Sequence, residues 1–273
     1  MAELPEISKI ALQMQDILCG KTIDTIQILQ EKCANVPQSV FNTRVCGAVV
    51  VQVDYKGKWI VTKLSNGENL LLSFGMGADV WYFAAPAQPQ EKYQLLVRFS
   101  DGSGYTVRFW WFGKFILVND AQLDLEPNTK DIAMDPFNPA FTAEYFAALV
   151  ADKKKQVKAF LMNQKNIGGI GNMYMHDILF LAKLHPQKRL CGISAQQIDD
   201  LYKSICNVLF MALEKGAFFY ETDFFGQKGQ FTLDEFLVGY HDGKPCPVCG
   251  ETITAIKTGS TSAHICPNCQ PLL

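Results

Sequence analysis

In the opening stretch MAELPEISKIALQMQDILCG, Ile7, Ile10, Met14 and Ile17 recur at helical spacing behind Pro5, and Gly20 closes the run. The pattern predicts one N-terminal helix. Between Val45 and Val118 the periodicity shortens: AVVVQVDY, WIVTKL and NLLLSF are apolar runs bounded by KGK, SNGEN and GMGA, and Asp101-Gly102 marks a further hairpin turn. An antiparallel β-sandwich or barrel is expected there. Pro127, Pro136 and Pro139 punctuate a linker over 119–140, and helical spacing returns over 142–151, 154–164 and 195–215. Between the last two lies NIGGIGNMYMHDILFLAKLHP, in which a helical run stops at Gly168-Gly169-Ile170-Gly171. A second helix is expected to open with Asn172 as its N-cap, turn Ile178, Leu179 and Ala182 inward, and stop at Leu184-His185-Pro186.

The fold class is therefore α+β. At 273 residues two domains are the natural count, and 48% hydrophobic residues can fill a large core. No apolar run is long enough to span a membrane, so no membrane partner is expected and a cytoplasmic location is. The net charge of −2, with neither half strongly basic, confines any phosphate binding to local features. One such feature is the glycine turn ahead of Asn172, where exposed N–H groups and the helix dipole suit an anion, although a tight corner between two core helices has the same sequence. The lysines at 153, 154, 155, 158 and 165 lie directly ahead of that turn, and a solvated helix face is the plainer explanation for them.

The strongest chemical signal is C-terminal. Cys246-Pro-Val-Cys249 and Cys266-Pro-Asn-Cys269 are separated by 16 residues (250–265) that include the strand-like ETITAIK. Four thiolates at that spacing complete a tetrahedral zinc site of the ribbon type. The other five cysteines, Cys19, Cys33, Cys46, Cys191 and Cys206, are scattered in the manner of buried thiols. At the other end, Met1 is expected to be removed because Ala2 is small. That leaves an α-amine whose ordinary pKa of about 7.7–8.0 keeps a useful neutral fraction, beside the Glu3 carboxylate. Lys58 occupies a tight hairpin, Met76 a glycine-flanked loop, and Trp110-Trp111-Phe112-Gly113 an aromatic loop or strand end whose plainer role is core packing. The segment 216–236 carries seven aromatic residues, among them Phe219 and Phe224, and is read as a hydrophobic cover for the helices in preference to a loop over a ligand.

Taken together these motifs resemble the formamidopyrimidine-DNA glycosylase / endonuclease VIII family over essentially the whole chain. The resemblance rests on Ala2-Glu3-Leu4-Pro5-Glu6, on Gly169-Ile170-Gly171-Asn172-Met173-Tyr174 followed by Leu184-His185-Pro186, and on the cysteine spacing with its terminal Cys269-Gln270. It implies a β-sandwich domain of catalytic type over 1–135, a helix–two-turn–helix DNA-binding domain over 136–236 and a zinc ribbon over 237–273. It further implies base-excision-repair glycosylase and AP lyase chemistry on damaged DNA, double- or single-stranded, by a monomer of bacterial, nucleoid-associated type. By resemblance Ala2 is the amine that attacks C1′, Glu3 the acid–base group and Lys58 its helper. Met76 and Phe112 fill the gap left by an extruded base, and Lys158 and Asn172 grip phosphates.

Four positions depart from the family pattern. Ala2 stands for the N-terminal proline, Thr261 for an arginine five positions before the third cysteine, Ser73 for a histidine three residues before the wedge methionine, and Trp111 for the arginine before the wedge phenylalanine. Trp111 could instead stack on a base. The same departures leave open a non-catalytic DNA-binding descendant that recognises abasic or distorted DNA.

Overall fold

A computed structural model describes residues 2–218 and 220–272; Met1, Phe219 and Leu273 lie outside it. The chain divides into two compact units, 1–131 with 216–230, and 132–215 with 231–273.

The first unit opens with α1 (Leu4–Leu18), which buries Ile7, Ile10 and Met14 as the sequence predicts, with Ala11 and Leu18 beside them and Ile17 only half-buried. Two elements follow that the apolar pattern did not announce, β1 (Ile23–Ile28) and α2 (Gln38–Val45). Side chains tie them together: the Ile26 N–H donates to Asn42 Oδ1 at 2.7 Å, and Asn42 Nδ2 returns a bond to the Ile26 carbonyl. Val45, the expected start of the strands, instead ends α2.

The strands proper are β2 (Val50–Lys56), β3 (Trp59–Leu64), β4 (Glu68–Ser73), β5 (Ala78–Phe83), β6 (Leu95–Phe99), β7 (Gly104–Phe109) and β8 (Lys114–Asn119). They form two antiparallel four-stranded sheets, β1-β6-β7-β5 and β2-β3-β4-β8. Alternate residues such as Ile26 and Ile28, Leu70 and Leu72, Leu95 and Val97, and Phe115 and Leu117 enter one shared core, as the two-residue side-chain period requires of a sandwich. A short helix α3 (Asp120–Leu123) follows β8.

The segment 216–230 belongs to this first unit, although its aromatic pattern predicts a cover over the helices. Phe218 and Phe224 are buried in the sandwich core, the Tyr82 N–H donates to the Phe224 carbonyl at 2.8 Å, and Trp81 Nε1 donates to Thr222 Oγ1 at 2.7 Å. An aromatic run covers whichever face offers it hydrogen bonds as well as apolar area, and here that face is β5.

In the second unit α4 (Ala143–Val150) is capped by Thr142, and α7 (Ala195–Glu214) starts in a Ser194/Gln197 capping box. Between them stand α5 (Val157–Leu161) and α6 (Asn172–Leu181). Helix α5 is shorter than the expected 154–164. Backbone bonds from Leu190 N–H to the Lys155 carbonyl, and from Val157 N–H to that of Lys188, hold Gln156 in an extended bridge to Arg189, so the helix starts only at Val157. Lys153, Lys154 and Lys155 consequently sit on an exposed turn and not on a helix face. Gly171, not Asn172, is the N-cap of α6, so Asn172 is the first helical residue. The unit ends in the hairpin β9 (Thr254–Thr258) and β10 (Thr261–Ile265). That ribbon is part of the second unit, because Phe180 of α6, Val238, Cys246, Ile253 and Cys266 share one buried cluster.

Candidate functional site

In the first unit, the direction of α1 brings the chain's start to a strand hairpin. The Gly20 N–H donates to the Val50 carbonyl at 2.9 Å, and the Val53 N–H to Gln15 Oε1 at 2.6 Å. The helix therefore runs antiparallel to β2. Continued at about 1.5 Å per helical and about 3.3 Å per strand residue, its N-terminus falls at the β2–β3 turn that carries half-buried Lys58. Ala2, Glu3 and Glu6 are all buried. One oxygen of the Glu6 carboxylate accepts the Glu3 N–H at 2.8 Å, and the other accepts the N–H of Phe218 at 3.3 Å. Glu6 thus links the helix start to the 216–230 segment, a tie that the aromatic pattern of that segment does not signal.

The aromatic turn of the same unit faces solvent. Met76 is 47% exposed, Trp111 66% and Phe112 80%, against the core packing that composition alone favours. Their backbones are nonetheless fixed. The Met76 N–H donates to the Trp111 carbonyl and the Trp110 N–H to the Gly77 carbonyl, each at 2.9 Å. A Cβ at Gly75 would fall 2.2 Å from the Trp111 carbonyl oxygen, and one at Gly77 2.4 Å from the Trp110 ring. Glycine on both sides of Met76 is what allows the two loops to close on each other. Asp79 anchors the base, accepting from Arg108 Nε at 2.9 Å and from Trp110 Nε1 at 3.2 Å. Three apolar side chains are thus projected outward from a rigid support. Trp111 and Phe112 also border a cavity of about 290 Å³, with Gln30, Lys32 and Trp110 among its other walls.

In the second unit Lys158 is buried, not extended into solvent. Its Nζ donates to Thr258 Oγ1 at 2.7 Å, Thr261 Oγ1 at 3.0 Å and the Ser262 carbonyl at 2.9 Å, so all three ammonium donors are engaged by the β9–β10 hairpin. Burial pushes its pKa down to about 8. Because the unfolded chain holds that proton up to about 10.5, the folded state should gain stability as pH rises from 8 to 10.5. Chemical denaturation of the wild type and of Lys158→Met across that range should show the gain in the wild type alone. Equal pH profiles would mean that the buried ammonium keeps its ordinary pKa.

Asn172 and Lys158 are brought near one imidazole. The Asn172 amide stands 3.4 Å from His176 Nε2 on the next turn of α6, and Lys158 is close enough to disfavour a charge on that ring. His176 Nδ1 accepts the His264 N–H at 3.1 Å, and burial drives the ring's pKa down to about 3. Beside it, Asp177 accepts the N–H groups of Leu237, Val238 and Gly239 at 2.7 to 3.0 Å. The motifs of the sequence do not single out His176, Asp177 or His264. The spacing of Asn172 and His176, one helical turn apart, was the available signal.

Cys246, Cys249, Cys266 and Cys269 offer sulfurs within 4.8 Å of one another, and none is in a disulfide. Separations of 3.8 Å (Cys246–Cys269), 3.4 Å (Cys249–Cys266) and 3.5 Å (Cys249–Cys269) approach the roughly 3.8 Å edge of a tetrahedron with Zn–S bonds of about 2.3 Å. Backbone N–H groups of Val248 and Cys269 point at the Cys246 and Cys266 sulfurs, as in tight metal knuckles. The four residues fit zinc. Of the remaining cysteines only Cys33 is buried; Cys19 and Cys206 are half-buried, and Cys46 and Cys191 are exposed, contrary to the expectation of buried thiols.

The chain matches "Formamidopyrimidine-DNA glycosylase N-terminal domain" over residues 1–112, "Formamidopyrimidine-DNA glycosylase H2TH domain" over 132–222, and "Zinc finger found in FPG and IleRS" over 243–272. It is 30% identical to the formamidopyrimidine-DNA glycosylase of Oceanobacillus iheyensis, over 99% of this chain and 98% of that one. The chain belongs to the formamidopyrimidine-DNA glycosylase family. The enzyme of that name from Symbiobacterium thermophilum is 28% identical over 100% of this chain and 90% of its own. The Lactococcus lactis Fpg, solved in complex with DNA containing an abasic site, has the same fold, with a TM-score of 0.89 at 24% identity over 99% of this chain and 100% of that one.

Proposed function

We propose that this family member is a base-excision-repair DNA glycosylase with AP lyase capability, acting on damaged DNA through the α-amine of Ala2. The observation that carries the reading is the antiparallel course of α1 along β2, which assembles the helix start, the buried carboxylates Glu3 and Glu6, and the Lys58 turn within one unit. Once Met1 is removed, the amine nitrogen attacks C1′ of the damaged nucleotide. The C1′–base bond breaks, and the base departs with the electron pair and takes up a proton. The C1′–O4′ bond then breaks as the nitrogen lone pair forms the C=N bond; of the two protons on nitrogen one passes to O4′ and the other is released, leaving an imine. Protonated, the imine draws electrons from C2′ as a C2′ proton is removed, and the 3′-phosphate leaves. Glu3 and Lys58 are the groups at hand for the proton transfers. The target must leave the base stack first, and Met76, Trp111 and Phe112 supply apolar surface to replace it.

A second reading is a non-catalytic protein that binds abasic or distorted DNA. It is favoured by the engagement of every Lys158 donor with the hairpin, which leaves the phosphate grip weaker than a free lysine would provide. Borohydride trapping on abasic DNA separates the two. A covalent adduct at Ala2 supports the enzyme, and binding with no adduct supports the non-catalytic protein.

The phosphate grip has its own test. Thr261→Arg removes one acceptor from Lys158 and adds a cation beside it. The slope of log K against log salt for an abasic duplex should steepen by about 1. An unchanged slope in a zinc-replete variant would show that the hairpin does not reach the DNA backbone.

A further inference from the structure

We infer that His176 is a positioning residue: its Nε2 proton fixes the Asn172 side-chain amide so that the NH2 group, and not the oxygen, is offered to a DNA phosphate. The inference rests on the proposed phosphate role of Asn172 and adds what holds it in place. A backbone N–H can only donate, so the bond from the His264 N–H to His176 Nδ1, 3.1 Å long, requires a lone pair on Nδ1. The ring is neutral in its buried setting, and its single proton therefore sits on Nε2.

That N–H faces the Asn172 amide at 3.4 Å. The atom placed there is Nδ2, which would set donor against donor, so the amide is read with its two ends exchanged: the oxygen next to His176 and the NH2 group turned away from it. The end of the amide that points away is buried, and the atom placed there, Oδ1, accepts no hydrogen bond among the described residues. With the NH2 group turned to that end, a buried donor is open to an acceptor from outside the chain. An anionic phosphate oxygen is the acceptor that DNA presents, and it arrives at the first residue of α6, where the helix dipole favours negative charge.

The second support of the ring is equally fixed. The Tyr240 N–H donates to His264 Nδ1 at 3.2 Å, and the His176 and His264 rings lie 4.8 Å apart at 63°. His264 is on β10, so the hairpin sets the tautomer of His176, and His176 in turn orients an amide on α6. Thr261 on the hairpin is uncharged and the Lys158 ammonium is tied to it, so the neutral donor of Asn172 carries a larger share of the grip.

The test uses the full zinc-bound chain. Nitrogen-15 NMR of the imidazoles should show His176 protonated at Nε2 and bare at Nδ1; a proton on Nδ1 would overturn the inference with no reference to DNA. On a duplex carrying a tetrahydrofuran abasic analogue, His176→Phe should weaken binding roughly tenfold, the scale of one hydrogen bond. His176→Gln, whose amide can accept from His264 and donate to Asn172, should recover most of that loss. In an Asn172→Ala background, His176→Phe should cost nothing further. A large loss in Asn172→Ala with none in His176→Phe, or two fully additive losses, would overturn the positioning role alone. Unchanged binding in Asn172→Ala would overturn the phosphate role and this inference together.

Discussion

Protein with Met1 removed should form a borohydride-stable adduct with abasic DNA, and Ala2→Pro should form more of it. Ala2 is a primary amine and gives an imine that must gain a proton before it can act as an electron sink. Proline is a secondary amine and gives an iminium directly, so the lyase step should accelerate. Keeping Met1, or adding one residue ahead of Ala2, converts the amine to an amide and should abolish the adduct while duplex binding stays nearly intact. Glu3 is buried beside the helix start, and Glu3→Gln keeps its volume while removing its charge. Loss of a positioned acid–base group costs roughly 10²–10⁴-fold, and turnover in this variant should fall by that order. If the wild type and Ala2→Pro both fail to trap, while both bind abasic DNA, the non-catalytic reading stands in place of the enzyme.

Removal of zinc should have the second large effect, on structure first and on binding through it. Metal binding to ribbon-type sites is worth about 10–16 kcal/mol in isolated finger peptides, far more than a short two-stranded hairpin supplies for itself. Cys246 and Cys266 also belong to the buried cluster with Phe180, Val238 and Ile253, so disorder should spread from the knuckles toward the end of α6. Hydrogen exchange after chelation, or in Cys266→Ser, should show lost protection over β9 and β10 with the sandwich unchanged. Lys158 would then lose its three acceptors and His176 the N–H of His264, so abasic-duplex affinity should fall well beyond the effect of either single substitution. Full protection of the hairpin in metal-free protein would defeat this prediction, as would purified protein in which the four thiols are disulfide-bonded.

Local pattern was enough for the main elements of this chain. Helix α1, strands β2 to β4 and the zinc knuckles are each written in a spacing of a few residues, because a helical face, an alternating strand and a CxxC turn are short-range objects. The motifs that resemble the family were legible for the same reason, and so were Ala2, Glu3, Lys58, Asn172 and the four cysteines as candidates. What those residues touch was not legible. Lys158 reads as a phosphate-binding lysine, but its partners lie about a hundred residues away on β9 and β10. Trp111 and Phe112 look like core residues by composition, and only the pairing of their turn with Gly75-Met76-Gly77 turns them outward. The segment 216–230 carries no mark of the surface it covers, since hydrophobicity has no direction and its bonds to Glu6, Gln13 and Trp81 are long-range. His176 is an ordinary residue of an apolar helix until the hairpin brings a backbone N–H to its Nδ1. Hydrogen bonds depend on distance and direction in space, and sequence separation of that size conceals both.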